Sequence, residues 1–317
     1  MKITKTINFG IQRKIVANMT TESWQNIPHV SYMYEPDVTD FMKEYKSLNI
    51  DRIGSDKITI NTLMMKVISE GLKAAPIMNS HIQFNRKFVT GRIDEIEDIN
   101  ISMPTVLHNG EMMTLNLHGF DKLNLDEMTD EIADVTRRAE QSNLTEAMFE
   151  VSMDNTITAL KKGHIFQVLG RLLGAKVGAC KVKTLSGKAR KDYFAIPATE
   201  RLTKNDIEQG TVTISNLGSV YKEQRGAVAL LEIIPPQVSA FGVGAVQDKP
   251  VVITDSLGNK TIEIRQVLPI CIAFDHRAFD FGEVVPFIKK LDFIFENPSI
   301  MHTWKGKEKT LMFSKDA

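Results

Sequence analysis

The second half of the chain carries several strand-like runs in succession, with no helical stretch between them. One pair of runs, VVIT and KTIEIR, is separated by the glycine-containing loop DSLGN, which predicts a β-hairpin. Because a doubly wound fold needs a helix after nearly every strand, this order favours an α+β protein with a layer of sheet. The predicted strands span residues 211–216, 238–246, 250–254, 261–266 and 268–274.

Helical periodicity flanks this strand-rich region on both sides. Apolar residues recur there at steps of three and four, and the last stretch carries a single stripe of five apolar side chains. The stripe consists of Val284, Phe287, Ile288, Leu291 and Ile294. The predicted helices span residues 36–48, 59–74, 124–140 and 282–296. Since there is no internal repeat and no low-complexity linker, we expect residues 1–317 to form a single domain.

The overall charge excludes a global electrostatic attraction to polyanions. The 39 basic and 39 acidic residues cancel, so neither nucleic acid nor an anionic membrane is an expected partner. Only two cysteines occur, Cys180 and Cys271, and the start lacks the continuous apolar run of a secretion signal. No apolar stretch approaches the length that spans a bilayer. These features predict a cytoplasmic protein.

One histidine stands apart from the other six. His276 follows the apolar run LPICIAF and precedes an amphipathic helix, with Asp275 before it and Asp280 four residues after it. A histidine held at a strand end beside carboxylates is suited to act as a general base. The alternative is that His276 only packs at the corner, and that Asp280 and Glu283 are a helix-capping pair. The histidines show no metal-ligand spacing, so we expect no metal site.

Several motifs in a fixed order resemble one enzyme family. The run DHRAFDFG is similar to the DHRxxDG signature of dihydrolipoyl acyltransferase catalytic domains, itself related to the HHxxxDG motif of chloramphenicol acetyltransferases. Upstream, GTVTISNLGSV resembles the family's GTFTISNLG, and IIPPQVSAFGVGAV resembles its INPPQ segment. The opening helix and first strand, RKIVANMTTESWQNIPHVSYMYEPDVTDF, and the helix in ITINTLMMKVISEGLKAAPIMNS also match. The chain thus resembles the catalytic domain of the 2-oxo acid dehydrogenase dihydrolipoyl acyltransferases.

This resemblance implies a chloramphenicol-acetyltransferase-like fold, a two-layer sandwich of mixed β-sheet and helices. It implies that His276 takes a proton from the thiol of coenzyme A or dihydrolipoamide, and that Ser215 donates a hydrogen bond to the tetrahedral oxyanion. Asp280 would hold the structure beneath the imidazole, pairing with a basic residue near the N-terminus such as Arg13. Asn216, beside Ser215, would have a structural or substrate-binding role. Coenzyme A would be a substrate, and the protein would be a homotrimer with sites between subunits.

The sequence departs from the family at three places. The glycine expected directly after Asp280 is Phe281, with Gly282 one place later, so the turn below His276 is expected to be reshaped. The strand usually written GLVVPVI is replaced by GEMMTLNL, which alters the expected channel wall. We expect no lipoyl domain and no lipoyl attachment site in this chain, so either an acyl-lipoyl donor would arrive on another protein or the natural acceptor is not lipoamide.

A further departure is an inserted basic segment, placed at about residues 141–200. Between Lys161 and Lys191 there are nine basic residues and no acidic ones, and glycines interrupt the apolar runs. The segment could be an arm over a neighbouring subunit, a cradle for the phosphate of coenzyme A, a docking site for an acidic lipoyl domain, or a solvated connection.

Three functions are compatible with the sequence. The first is a coenzyme-A-dependent acyltransferase that uses a lipoyl-type or other thiol acceptor. The second is an O- or N-acetyltransferase that acts on a small molecule, and the third is a non-catalytic trimeric scaffold. The TISNLG and PPQ motifs favour the first, whereas Phe281 favours the third. The acyl group, the acceptor and any assembly beyond a trimer cannot be read from the sequence.

Overall fold

A computed structural model describes residues 2–108, 110–161 and 165–306. Its helices are α1 (Ile11–Asn26), α2 (Thr39–Leu48), α3 (Ile60–Ala74), α4 (Leu125–Gln141), α5 (Leu144–Lys161), α6 (Ile165–Lys176), α7 (Gly187–Ala195), α8 (Leu217–Val220) and α9 (Phe281–Glu296). Its strands are β1 (His29–Tyr34), β2 (Ser80–Asn85), β3 (Thr90–Glu95), β4 (Ile101–Val106), β5 (Met112–Leu117), β6 (Val212–Asn216), β7 (Ser239–Val243), β8 (Gln247–Thr254), β9 (Lys260–Val267) and β10 (Ile270–Asp275).

Six strands form one mixed sheet in the order β1-β10-β7-β6-β4-β5. Strand β6 is parallel to both of its neighbours, and the other neighbouring pairs are antiparallel. Strands β2 and β3 pair as one hairpin and β8 and β9 as another, the second of which was predicted around DSLGN. The mixed sheet covered by helices confirms the predicted α+β class.

One face of the sheet packs against helices and forms the core. The ring of Phe241 on β7 stacks on Phe287 of α9 with 5.2 Å between ring centroids. Helix α3 crosses α9 so closely that a Cβ atom at Gly71 would lie 2.6 Å from Leu291 Cδ1. Four members of the predicted stripe, all but the partly buried Ile288, are fully buried, which confirms that the stripe faces the core.

The opposite face of the sheet is lined by small side chains. In register across it lie Ser31, Ala273, Ala240, Thr213, Ser102 and Asn116. Ile233, from the stretch before β7, is fully buried against the two alanines. The side chain of Leu231 occupies the space beside Gly242, where an added Cβ would lie 2.7 Å from Leu231 Cδ1. We call this surface the small-residue face.

The predicted basic insertion is largely helical where it is described. Helices α5 and α6 pack together, and α5 also contacts α1. The Lys14 ammonium of α1 donates to the carbonyl of Gly174 at 2.5 Å, and also to that of Cys180. Residues 162–164, which include His164, lie outside the described part. The described part of the segment is therefore held to α1 by these contacts.

Candidate active site

His276 is held at the end of β10 by contacts on both sides. Its backbone N–H donates to the carbonyl of Pro28 at 3.1 Å, and its Nδ1 lies 3.2 Å from Asp280 Oδ1. A neutral imidazole that donates Nδ1–H to a carboxylate keeps the Nε2 lone pair free to accept a proton. Nε2 has no hydrogen-bond partner in the described ranges. The side chain is 50% exposed, so the nitrogen is accessible.

The two residues flanking His276 fix the turn that carries it. Asp275 is fully buried, and both of its carboxylate oxygens accept from the Arg277 guanidinium, the shortest contact being 2.6 Å. The backbone N–H of Arg277 also donates to Asp275 at 2.9 Å. The guanidinium lies over the ring of Phe84, 5.8 Å from its centroid. The Asp and Arg of the DHR motif therefore form an ion pair with a buried carboxylate and a partly exposed guanidinium, and this pair orients the turn.

Asp280 contacts His276 and also stands at the start of α9. Its backbone N–H donates to Glu283 Oε2 at 2.7 Å, so the capping contact proposed as an alternative is present together with the histidine contact. Phe281 is the first residue of α9 and packs edge-on against Tyr32, with 5.1 Å between the ring centroids. Because this position is helical and has no positive φ angle, phenylalanine is accommodated where the family has glycine.

Ser215 lies on β6, between two glycines whose backbones approach other segments closely. A Cβ at Gly210 would lie 2.8 Å from the carbonyl carbon of Asn100, and one at Gly218 would lie 2.7 Å from that of Gly244. Contacts this short do not occur between non-bonded carbons, so both positions require glycine. The glycines of GTVTISNLG thus fix both ends of the strand that carries Ser215.

Gln237, the glutamine of the PPQ motif, ties β6 to its surroundings from within. Its side chain is fully buried; it accepts from Thr213 Oγ1 at 2.7 Å and donates to the carbonyl of Gly210 at 2.8 Å. Ser102 Oγ lies 3.5 Å from the same amide nitrogen and accepts from the backbone N–H of Gly210. This network was not predicted from the sequence, although the PPQ motif contains its central residue.

Asn216 closes the turn after Ser215. Its Oδ1 accepts from the backbone N–H of Ser219 at 3.0 Å, and its carbonyl accepts from the Ser219 hydroxyl at 2.8 Å. These contacts cap the short helix α8. The structure therefore gives Asn216 a local structural contact, and its role in a site stays a prediction.

Within one chain, Arg13 does not pair with Asp280. The pairing that the family resemblance implied is therefore wrong for the single subunit. Arg13 is in the first turn of α1, where the neighbouring Gln12 donates to the carbonyl of Met112 on β5. The other end of α1 leads to Pro28, which contacts His276. Roughly 20 Å of helix separate the two ends. The Asp280 carboxylate contacts His276 instead.

Ser215 and His276 lie at opposite ends of the sheet in one chain. Ser215 pairs with Gly242, which pairs with Cys271, and His276 is five residues beyond Cys271 along β10. With about 3.3 Å per residue along a strand and 4.8 Å between strands, the two Cα atoms are roughly 20 Å apart. The two side chains therefore cannot contact the same reacting carbonyl within one subunit.

A buried thiol also lies on the small-residue face. Cys271 is buried, its Sγ lies 3.5 Å from Ser31 Oγ, and burial raises the pKa of its thiol. In the described ranges, no group of three or more His, Cys, Asp or Glu residues is arranged to hold a metal ion. No described helix is both long and apolar enough to cross a membrane.

The chain matches the family described as 2-oxoacid dehydrogenases acyltransferase (catalytic domain) over residues 2–160 and 180–303. The match covers most of the sequence, and the chain belongs to this family. The unmatched residues 161–179 lie inside the predicted insertion at 141–200, whose wider bounds stay a prediction.

Two relatives show how much of the chain is shared. The dihydrolipoyllysine-residue acetyltransferase component of the pyruvate dehydrogenase complex of Zymomonas mobilis is 23% identical over 294 residues, which are 92% of this chain and 50% of that protein. The succinyltransferase component of the mitochondrial 2-oxoglutarate dehydrogenase complex of Bos taurus is 35% identical over 120 residues, which are 38% of this chain and 23% of that protein. The chain therefore spans half or less of these relatives.

Solved structures share the fold over nearly the whole chain. A probable dihydrolipoamide acetyltransferase from Listeria monocytogenes superposes with a TM-score of 0.62 at 20% identity, covering 98% of both chains. The cubic core of a pyruvate dehydrogenase multienzyme complex gives the same TM-score at 18% identity, covering 95% of this chain and 94% of that one. The predicted chloramphenicol-acetyltransferase-like fold is confirmed.

Proposed function

We propose that the protein moves an acyl group between coenzyme A and a lipoyl-type or other thiol, with His276 as the general base. The observation that carries this proposal is the geometry of the imidazole in a chain of this family. Asp280 Oδ1 lies 3.2 Å from Nδ1, and the half-exposed side chain leaves Nε2 open at the strand end. A base with one ring nitrogen oriented by a carboxylate and the other open to substrate is what thiol deprotonation requires.

The proposed reaction needs three contributions from the chain. Nε2 of His276 takes the proton of the attacking thiol, and the thiolate adds to the thioester carbonyl carbon. The Ser215 hydroxyl donates to the resulting oxyanion, an interaction typically worth about 2.7 to 4 kcal/mol. The tetrahedral intermediate then expels the other thiolate, which receives the proton from His276. Because one thioester replaces another, the site has to supply mainly positioning, a base and an oxyanion donor.

We place the complete site between two subunits of a homotrimer. In one chain Ser215 and His276 are roughly 20 Å apart, so a second copy has to bring its serine to the histidine. The half-exposed imidazole is also consistent with a neighbour that covers it and excludes water. Membership of the family and the likeness to a multienzyme core support a closed assembly.

A structural relative supports the choice of residues. The dihydrolipoamide acetyltransferase of Azotobacter vinelandii has been investigated for the role of one serine, one histidine and one asparagine in its catalytic mechanism. Its asparagine follows its histidine by four residues, which is the spacing between His276 and Asp280 here. Where that protein has asparagine, this chain has the carboxylate of Asp280, which would favour the Nδ1–H tautomer of His276.

The proposed partners follow from the same chemistry. The acyl-lipoyl group is proposed to arrive on a separate lipoyl-bearing protein, and the reducing cytoplasm is the proposed compartment, in which Cys180 and Cys271 stay as free thiols. The basic segment is proposed to contact either the phosphates of coenzyme A or an acidic partner domain.

The test is acetyl transfer from acetyl-coenzyme A to dihydrolipoamide. His276→Ala should reduce the rate at least about a hundredfold, as expected for loss of a general base, while coenzyme A binding survives. Ser215→Ala should lower kcat about 10²-fold with little change in KM, because an oxyanion donor acts in the transition state. His118→Gln is the matched control, since His118 is exposed and bonds the carbonyl of Asn205.

Three outcomes would contradict parts of this proposal. A pure KM effect of Ser215→Ala would remove Ser215 from the oxyanion role. Transfer to an amine or hydroxyl, with none to thiols, would favour a small-molecule acetyltransferase. Wild-type protein without transfer to any thiol, amine or hydroxyl would favour the scaffold.

A further inference from the structure

Both ring nitrogens of His29, the first residue of β1, lie against backbone groups. Nδ1 is 2.9 Å from the carbonyl oxygen of Ile27, and Nε2 is 3.1 Å from the backbone nitrogen of Ile233. Because a carbonyl only accepts and an amide N–H only donates, Nδ1 must carry the proton and Nε2 must be bare. The imidazole is therefore neutral in this arrangement. A proton on Nε2 would end the bond from the N–H of Ile233, because the nearby acceptor for that proton is Ser23 Oγ at 3.2 Å.

Burial of His29 outweighs the nearby groups that favour a charged imidazole. Asp275 faces His29 in the strand register, but its carboxylate is engaged by Arg277, whose positive charge opposes that of a protonated ring. The carboxylate of Glu232, also near the ring, favours the charged form of His29, as Asp275 does. Burial lowers the pKa of His29 below its ordinary value. The neutral form is therefore the form that fits this fold.

The bond from His29 fastens one end of an irregular segment, residues 226–234. The carbonyl of Ile233 accepts from Ser23 Oγ at 2.7 Å, so α1 and β1 together hold both backbone groups of Ile233. The other end is fastened near Gly226, whose carbonyl accepts from Gln247 Nε2 at 2.8 Å. No helix or strand is formed in this segment.

The segment lies along the small-residue face, between the two ends of the sheet that carry the candidate catalytic residues. Its Leu231 side chain fills the space beside Gly242, which pairs directly with Ser215. Its Ile233 is fully buried on the alanines of β7 and β10. At the His29 end, the preceding Pro28 carbonyl accepts the N–H of His276. Movement of the segment would therefore disturb the surroundings of both Ser215 and His276.

We propose that His29 is a positioning residue, whose neutral imidazole helps to lock segment 226–234 across the small-residue face and whose protonation loosens the Ile233 end by removing one of its bonds. This inference rests on the proposed function for its effect on turnover. Its structural part, the pH-dependent lock, does not depend on any activity. Acid then lowers the transfer rate through His29, and His29→Gln should remove that part of the pH dependence.

The experiment measures amide hydrogen-exchange protection of segment 226–234 and, in parallel, acetyl transfer, between about pH 5 and pH 8. In the wild type, protection should fall at least about tenfold as His29 is protonated at the acidic end. His29→Gln offers a non-titrating oxygen to the N–H of Ile233, so its protection should be lower but independent of pH. His118→Gln, at an exposed histidine, should behave as the wild type.

A second measurement covers the case in which a variant folds poorly. The ¹⁵N shifts of His29 in the wild type at neutral pH should report the neutral Nδ1–H tautomer. A cationic or Nε2–H ring would overturn the proposal, and so would protection that is flat with pH in the wild type. If the exchange result holds but no acyl transfer is found, the lock stands and the proposed function fails. If transfer is found but protection is flat, the proposed function stands and the lock fails.

Discussion

Gly218→Ala tests the account of how Ser215 is positioned. Gly218 follows Ser215 by three residues and packs its Cα against the backbone of Gly244. An added Cβ would lie 2.7 Å from the Gly244 carbonyl carbon and 2.8 Å from the Ala245 nitrogen. Both contacts are backbone atoms, so no side-chain rotation relieves them.

The size of the effect follows from these distances. Non-bonded carbon atoms are best separated by about 3.5 to 4.0 Å, so the two backbones must separate by about 1 Å. Overpacking of this kind costs typically about 1 to 3 kcal/mol of the free energy of unfolding. A displacement of about 1 Å at a catalytic group costs about 10²-fold in rate. We therefore expect both a stability loss and a fall in kcat.

The assay is urea unfolding together with acetyl transfer, and Gly226→Ala is the matched control. Gly226 has no atom within 4 Å of its added Cβ, and its φ angle is not in the left-handed region. The control should change the free energy of unfolding by less than about 1 kcal/mol. Equal stability and equal kcat for the two alanine variants would refute the close approach as the device that positions β6.

The remaining predictions concern charge, thiol reactivity and pH. Neutralising three lysines of the basic segment should weaken the binding of coenzyme A or of an acidic lipoyl domain and flatten its salt dependence, both measured by calorimetry. Unchanged binding would show that the segment is only a tether. The three are Lys181, Lys183 and Lys188. Burial raises the pKa of the Cys271 thiol, so a thiol reagent at neutral pH should label the partly exposed Cys180 first in native protein. Preferential labelling of Cys271 would contradict its burial. The pKa of His29 is lower in the folded than in the unfolded chain, so the unfolded chain is protonated first as the pH falls. The free energy of unfolding should therefore decline below about pH 6.5. His29→Gln should remove that part of the decline.

Local sequence pattern was sufficient to predict several helices and strands, but not the contacts between residues that lie far apart in the chain. The hairpin around DSLGN and the buried stripe of α9 follow from spacing alone, because strand alternation and helical period are local properties. The network of Gln237 joins residues far apart in the sequence, since Gln237 and Ser102 are 135 positions apart. Periodicity carries no information on such pairs, so the structural role of the PPQ glutamine could not be derived from it.

The expected Arg13 contact shows the same limit of local sequence pattern, here for the direction of a single side chain. Successive residues on a helix point about 100° apart, so Arg13 and Lys14 face different surfaces. Lys14, which no sequence pattern distinguishes from Arg13, bonds the carbonyls of Gly174 and Cys180. The direction of a charge on α1 depends on how the whole helix is docked, and docking is set by long-range packing.

The central claim is that one subunit supplies His276 and its neighbour supplies Ser215. The most direct measurement mixes inactive His276→Ala protein with inactive Ser215→Ala protein under conditions of demonstrated subunit exchange, and then assays acyl transfer. In a closed trimer with sites at each interface, every mixed trimer contains one intact site of three, so equimolar random mixing should restore about one quarter of wild-type activity. A mixture that stays inactive despite exchange, or a monomeric wild type with full activity, would contradict the shared site.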